Sequence, residues 1–112
     1  MTDDLGKDLT TAVGNSVQLY YGEAEVDDYP YCVYNRVIRE QRTKDGIAAI
    51  LSELSLEIVS DTYEVAKSLA DTVRSAVDSL GPKYVIAYLS TEPVCVSGVW
   101  DIRLEYNIKQ IS

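Results

Sequence analysis

The residue types that do chemistry in proteins are thinly spread here. Glu23/Glu25 and Asp27/Asp28 are paired carboxylates of the kind general acid–base catalysis uses. They sit in a polar stretch with no apolar neighbour to raise the pKa of one above the other, which that chemistry requires. Cys32 is a possible nucleophile without a partner, because the chain contains no histidine and a thiol needs a base or a cationic neighbour to ionise. The absence of histidine also removes a common metal ligand. Asp45-Gly46 marks a turn, without the ligand pattern of a calcium loop, and no glycine motif for phosphate is present. The residues therefore offer no catalytic site, no cofactor site and no metal site.

Charge says more. The chain has 112 residues, 18 acids and 10 bases, for a net −8. That balance argues against tightly held nucleic acid, whose phosphates need a basic surface. Residues 1–31 hold seven of the acids and one base, Lys7. The one basic cluster is Arg36, Arg39, Arg42 and Lys44. Nine tyrosines and no phenylalanine supply area that is apolar on its body and polar at its tip, a composition favoured at interfaces. No window approaches the roughly 20 apolar residues of a membrane helix. The first residues have neither the basic nor the apolar region of a signal peptide. Cys32 and Cys95, far apart and outside any CxxC motif, are expected to be reduced and buried as small apolar residues.

The elements follow from periodicity. Residues 61–80 give the clearest helix. Asp61 as N-cap with Glu64 three residues on has capping-box spacing. Ala66, Leu69, Ala70, Val73, Ala76, Val77 and Leu80 repeat as one buried stripe, and Gly81-Pro82 stops the helix. A short helix is expected within 2–13, with Leu5, Leu9, Ala12 and Val13 on one side. Val17–Tyr21 reads as a short strand and Tyr31–Arg39 as a longer one, its broken alternation implying two covered faces or a bulge near Asn35-Arg36. Glu40–Gly46 is polar and reads as a loop. Leu54, Leu56 and Ile58 alternate cleanly, Tyr84–Thr91 is a further strand, and Glu92–Gly98 reads as a turn region. Val99–Ile108 places Trp100, Ile102, Leu104 and Tyr106 on one face and Asp101, Arg103, Glu105 and Asn107 on the other. The expected fold is a single α+β domain over 1–112. It has a largely antiparallel sheet of about four to five strands, one long helix (61–80) on one face, and a short N-terminal helix.

The order of these features resembles a known family. A short helix precedes a proline–aromatic strand start, Tyr29-Pro30-Tyr31-Cys32-Val33-Tyr34. A polar hairpin with Lys44-Asp45-Gly46 follows. The strand Leu54-Ser55-Leu56-Glu57-Ile58-Val59-Ser60 then runs through Asp61 into the helix at Glu64 and Ala66, and two long strands close the chain. Over residues 5–110 this is similar to the tail terminator (tail completion) proteins of long-tailed bacteriophages and prophages. The resemblance implies a non-enzymatic virion protein at the head–tail junction, made in the host cytoplasm. It implies a homo-hexameric ring on the last ring of the tail tube, which stops tube growth and presents a surface to the head-completion (connector) protein. DNA would pass through without being held, and no membrane is involved. The matching contact segments are the Tyr31–Arg39 strand, the Arg39–Gly46 loop and the Glu92–Gly98 turn. On this reading Arg36, Arg39, Arg42 and Lys44 meet Glu23, Glu25, Asp27 and Asp28 of a neighbour, with Tyr29, Tyr31 and Tyr34 as apolar anchors. The competing expectation is a small cytosolic ligand-binding or regulatory α+β domain with a ligand between helix and sheet.

Overall fold

The computed structural model describes residues 1–23 and 28–111. The elements run α1 (Leu5–Val13), β1 (Gln18–Tyr21), β2 (Tyr31–Thr43), β3 (Gly46–Ser60), α2 (Tyr63–Asp78), β4 (Tyr84–Val96) and β5 (Val99–Ile111). The strands form one mixed five-stranded sheet in the order β1-β2-β3-β5-β4. Only β1 and β2 are parallel; the other three pairings are antiparallel. The α+β class holds, but the principal helix is shorter than its pattern, 16 residues rather than the span 61–80.

Both helices contribute to one core. Leu5, Leu9 and Val13 of α1 and Ala66, Ala70, Val73 and Val77 of α2 are buried with Cys32, Tyr34, Leu54, Leu56, Ile58, Ile102, Leu104, Tyr106 and Ile108 of the sheet. Leu69 and Trp100 pack against this cluster while partly exposed, as the alternation of β5 and the stripe of α2 require. The small residues of α2 let its backbone approach β3 and β5 closely. Gly6 does the same for α1, since a Cβ there would lie 3.4 Å from the Tyr34 hydroxyl.

The N-cap of α2 is Thr62 rather than Asp61. Thr62 is extended (φ −128°, ψ 143°) and its Oγ1 accepts from the Val65 N–H at 3.4 Å. β3 stays paired through Ser60, so Asp61 is still in the connection and accepts from the Ser60 hydroxyl instead. The capping-box pair of Asp61 and Glu64 does not form.

Two segments that read as irregular are strand. Glu40–Thr43 continues β2, and β3 begins at Gly46, so Lys44-Asp45 is a two-residue turn. Glu92–Val96 continues β4, with Ser97-Gly98 as the turn; φ is +53° and +79° there, the left-handed pair that matches strand twist. Polar content misleads in Glu40–Thr43, and Pro93 with Ser97-Gly98 misleads in Glu92–Gly98; both strand ends are exposed to water rather than covered by a helix. Pro93 is tolerated because β4 is an edge strand and needs no outward N–H bond. The bulge in β2 lies at Gln41/Arg42, not near Asn35-Arg36. At the start of β2 the broken alternation reflects cover on both faces, since Cys32, Val33 and Tyr34 are all buried; farther along, Val37 and Ile38 are exposed.

Polar contacts hold the N-terminal segment across the strand ends. The Gln110 amide donates to the Thr2 carbonyl and accepts from the Asp4 N–H, both within 2.9 Å. Lys83 Nζ reaches Asp4 and Asp8 at 3.2 and 3.0 Å, and the Tyr84 hydroxyl donates to Asp8 at 2.5 Å. That hydrogen bond, and then Lys83, hold the Asp8 carboxyl below its ordinary range. A depressed carboxyl stabilises the fold above its unfolded value, and the contribution is lost as pH falls through the folded value.

Two outcomes follow. Leu104→Ala should lower stability by about 2–5 kcal/mol in denaturant unfolding; an unchanged midpoint would mean that Leu104 does not face α2. Asp8→Asn should lower the midpoint at neutral pH, and its difference from the parent should vanish near pH 2 or so.

Candidate functional site

With both helices on one face, the other face of the sheet is open around Val37 and Val85 and along β4, while Val33 and Val59 on it are buried. The register places side chains on it in rows across the strands. Arg39, Leu51, Lys109 and Val85 form one row, and Val37, Glu53, Asn107 and Ala87 the next. Then come Asn35, Ser55 and Glu105, followed by Val33, Glu57, Arg103 and Glu92, and by Tyr31, Val59, Asp101 and Val94. Apolar side chains remain in water among these charges. Val37, Val85, Leu89, Val94 and Val96 are each at least 44% exposed, an exposure that elements of a finished core do not show. Two shallow concavities lie on this face. One of about 310 Å³ is lined by Val37, Arg39, Leu51, Val85, Ala87 and Lys109. Another of about 440 Å³ involves Asn35, Ser55, Leu89, Glu105 and Asn107.

The β2–β3 hairpin projects beyond the sheet. β5 stops opposite Ala49 and β1 pairs only with Tyr31–Tyr34, so residues 42–48 have no flanking strand on either side among the described residues. The molecule is correspondingly long, 52 × 24 × 23 Å.

The basic cluster is divided by the pleat. Arg36 points to the helix-covered face, its side chain only 5% exposed, and its Nη2 donates to Asp3 at 3.0 Å and to the Ser52 hydroxyl at 2.7 Å. It does not project with the other three. Arg39 lies on the open face, 3.7 Å from Glu53. Arg42 pairs with Glu40 at 2.6 Å, and Lys44 is in the exposed turn. The first two pairs are well exposed, and such pairs contribute about 0–1 kcal/mol each, so either cation can exchange partners at small cost.

The tyrosines divide in the same way. Tyr29 stacks on Tyr31 with centroids 5.9 Å apart, and Tyr31 meets Tyr20 edge-on at 6.3 Å. Tyr34, three residues on, is buried beneath α1 and meets Tyr21 at 4.9 Å, so it is a core residue rather than a neighbour of Tyr31. Of the acidic segment, Glu23 and Asp28 are exposed; Glu25 and Asp27 lie outside the described residues. Cys32 is buried and its thiol is pushed up to about 12 by burial. Cys95, expected to be buried, is exposed on β4. Among the described residues no group of three or more Cys, Asp or Glu is arranged to hold a metal ion, and no helix is long and apolar enough to cross a membrane.

Sequence reasoning missed a carboxylate cluster at one end of the open face. Arg103 binds Glu57 through Nε at 3.0 Å and Nη2 at 2.6 Å. Asp101 and Glu92 share a concavity with Arg103 and Val94. The Asp101 Oδ1, like the Arg36 Nε and the Tyr106 hydroxyl, is shut off from water and has no hydrogen-bond partner among the described residues. Burial first, then Glu57, raise its carboxyl from 3.8 to about 6. Asp101, Arg103 and Glu105 alternate in the sequence as an outward face; only the pairing of β5 with β3 and β4 adds Glu57 and Glu92 to them.

No family model matches the chain, and no curated protein matches it. A solved structure similar to it is a chain from the virion of a native gene transfer agent particle, with a TM-score of 0.63 and 17% identity. The match covers 93% of this chain and 84% of that one. At that identity the likeness is one of fold.

Asp101 gives a pH signature. Its raised carboxyl means that holding the ionised form costs stability above about pH 6, and that the cost disappears as pH falls from about 6 to 3.8. Asp101→Asn should therefore stabilise the isolated chain by about 1–2 kcal/mol at pH 7.5, after discounting for partial exposure, and by nothing at pH 3.5 or so. Equal effects at both pH values would show that the charge on Asp101 is not the cause.

Proposed function

We propose that this chain is a structural protein of a tailed phage or phage-like particle, and specifically a tail terminator. As a ring of about six copies it would end the tail tube and offer a surface to the head-completion proteins. The observation that carries this reading is the shared fold, over nearly the whole chain, with a protein of a gene transfer agent virion. The surface supports it. A sheet covered on one face only, apolar side chains held in water on the other, and a hairpin arm with no flanking strands suit a subunit completed by its neighbours. The role asks for contacts and no catalysis. A net charge of −8 suits a lumen through which DNA slides without being held. Tyr29, Tyr31, Arg39, Arg42 and Lys44, with Glu23 and Asp28, are the members of the expected interface that face solvent in the single chain. Arg36 and Tyr34 support the fold beneath it.

Native mass spectrometry of the purified chain should give a six-copy species, or a concentration-dependent mixture that reaches it. Particles assembled without the chain should carry tails of irregular length in electron micrographs. A strict monomer at every concentration, with a melting shift on adding a small ligand, would favour a ligand-binding domain instead.

A further inference from the structure

Among the described residues the open face lacks a cover along β4, where Leu89 and Val94 are exposed, and the β2–β3 arm lacks a flanking strand. We propose that the two are halves of one contact: the tip of the arm, carrying Arg42 and Lys44, seats on the open sheet face of a second copy, against the end that bears Glu57, Glu92, Asp101 and Glu105. This rests on the ring reading and names the surface by which copies join.

Charge complementarity selects the second copy as occupant. In a chain of net −8, the segment Arg39–Gly46 has three cations and two carboxylates. The far end of the open face has four carboxylates around Arg103 alone. Within one chain the two lie at opposite ends of β2 and β3: Arg42 pairs with Ile47 near the turn, whereas Glu57 lies opposite Val33 and Asp101 opposite Val59. The arm therefore cannot reach its own acidic end. A contact between unlike patches is head-to-tail, the kind that closes a ring.

The dimensions agree. From Ala49 to Gly46 the arm extends roughly 10 Å past the end of β5 at about 3.3 Å per residue, which is also about the spacing of one packed layer on a sheet. The exposed Val94 and Leu89 beside the acidic end provide apolar area for the stems of Arg42 and Lys44. Asp101 is half-buried at this end, in one concavity with Glu92, Val94 and Arg103, and adds its carboxylate to the patch. The ion pairs that Arg39 and Arg42 now make are exposed and do not oppose an exchange.

Thiol cross-linking tests this on the full chain. Cys95 is first replaced (Cys95→Ser) because it is exposed near the target, whereas buried Cys32 stays. In that background Lys44→Cys and Glu92→Cys variants are purified separately, mixed, and treated with a short flexible bis-maleimide. The expected product is a covalent dimer containing one copy of each variant, formed only in the mixture, with a ladder up to the full ring when one chain carries both substitutions. Dimers of Lys44→Cys alone would show tip meeting tip, and dimers of Glu92→Cys alone would show face meeting face; either as the main product overturns the proposal. An oligomer that yields no mixed dimer overturns it while leaving the ring reading intact. A monomer at all concentrations overturns both. In support, Arg42→Glu with Lys44→Glu should weaken association about tenfold at low salt and flatten its salt dependence.

Discussion

The contact on which the rest of the structure depends is the packing of α2 on β3 and β5. Ala66, Ala70, Val73 and Val77 lie fully buried against Leu56, Ile58, Ile102 and Leu104. Nothing larger than valine stands at the centre of the helix stripe, so the helix lies low and the layer is dense. Among the described residues, two helices of 9 and 16 residues cover one face of strands of 13 to 15 residues. A helix of 16 residues is roughly 24 Å long, so it covers half the length of a 52 Å molecule and one face of its sheet.

Everything distinctive about the surface follows from that shortfall. Coverage stops where the helices stop, leaving β4 exposed from Ala87 to Val96 apart from its hydrogen bonds to β5. The β2–β3 hairpin runs past the last flanking strand. On the open face, apolar residues alternate with charges across rows rather than gathering into a second core. A β-sheet edge or face left in this state invites association. Pro93, the Tyr88/Ser90 irregularity and scattered charges on the same surface are features that oppose indiscriminate edge-to-edge pairing.

Electrostatics is arranged in two ways in the same chain. At the start of α1 the carboxylates are paired: Asp3 with Arg36, Asp4 with Lys83 and Gln110, Asp8 with Tyr84 and Lys83. These contacts tie the segment before α1 to the ends of β4 and β5. At the far end of the open face the carboxylates outnumber their one guanidinium; Asp101 Oδ1 there, like the buried Arg36 Nε and Tyr106 hydroxyl, has no partner among the described residues. The first arrangement pairs its carboxylates within the chain, and the second leaves an excess of carboxylate.

The sequence by itself determined the elements that rest on local period: the α2 stripe, the outward and inward sets of β5, and an α+β class. Period is a property of neighbours along the chain, so it can be read without knowing what the element touches. Long-range pairing decided the rest. The polar residues of Glu40–Thr43 and the proline of Glu92–Val96 look like loop until the sheet is seen to leave the first in water and to put the second on an edge strand, where each is tolerated. Arg36 looks like a member of a basic cluster with Arg39 and Arg42 until the pleat turns it inward to Asp3 and Ser52. Glu57, Glu92 and Asp101 are 9 to 44 residues apart in sequence and become neighbours only because β3, β5 and β4 lie in that order. Which face is open, which edge is free and where charge accumulates are set by strand register, and register is fixed by contacts between residues too distant in the chain to leave a local signal.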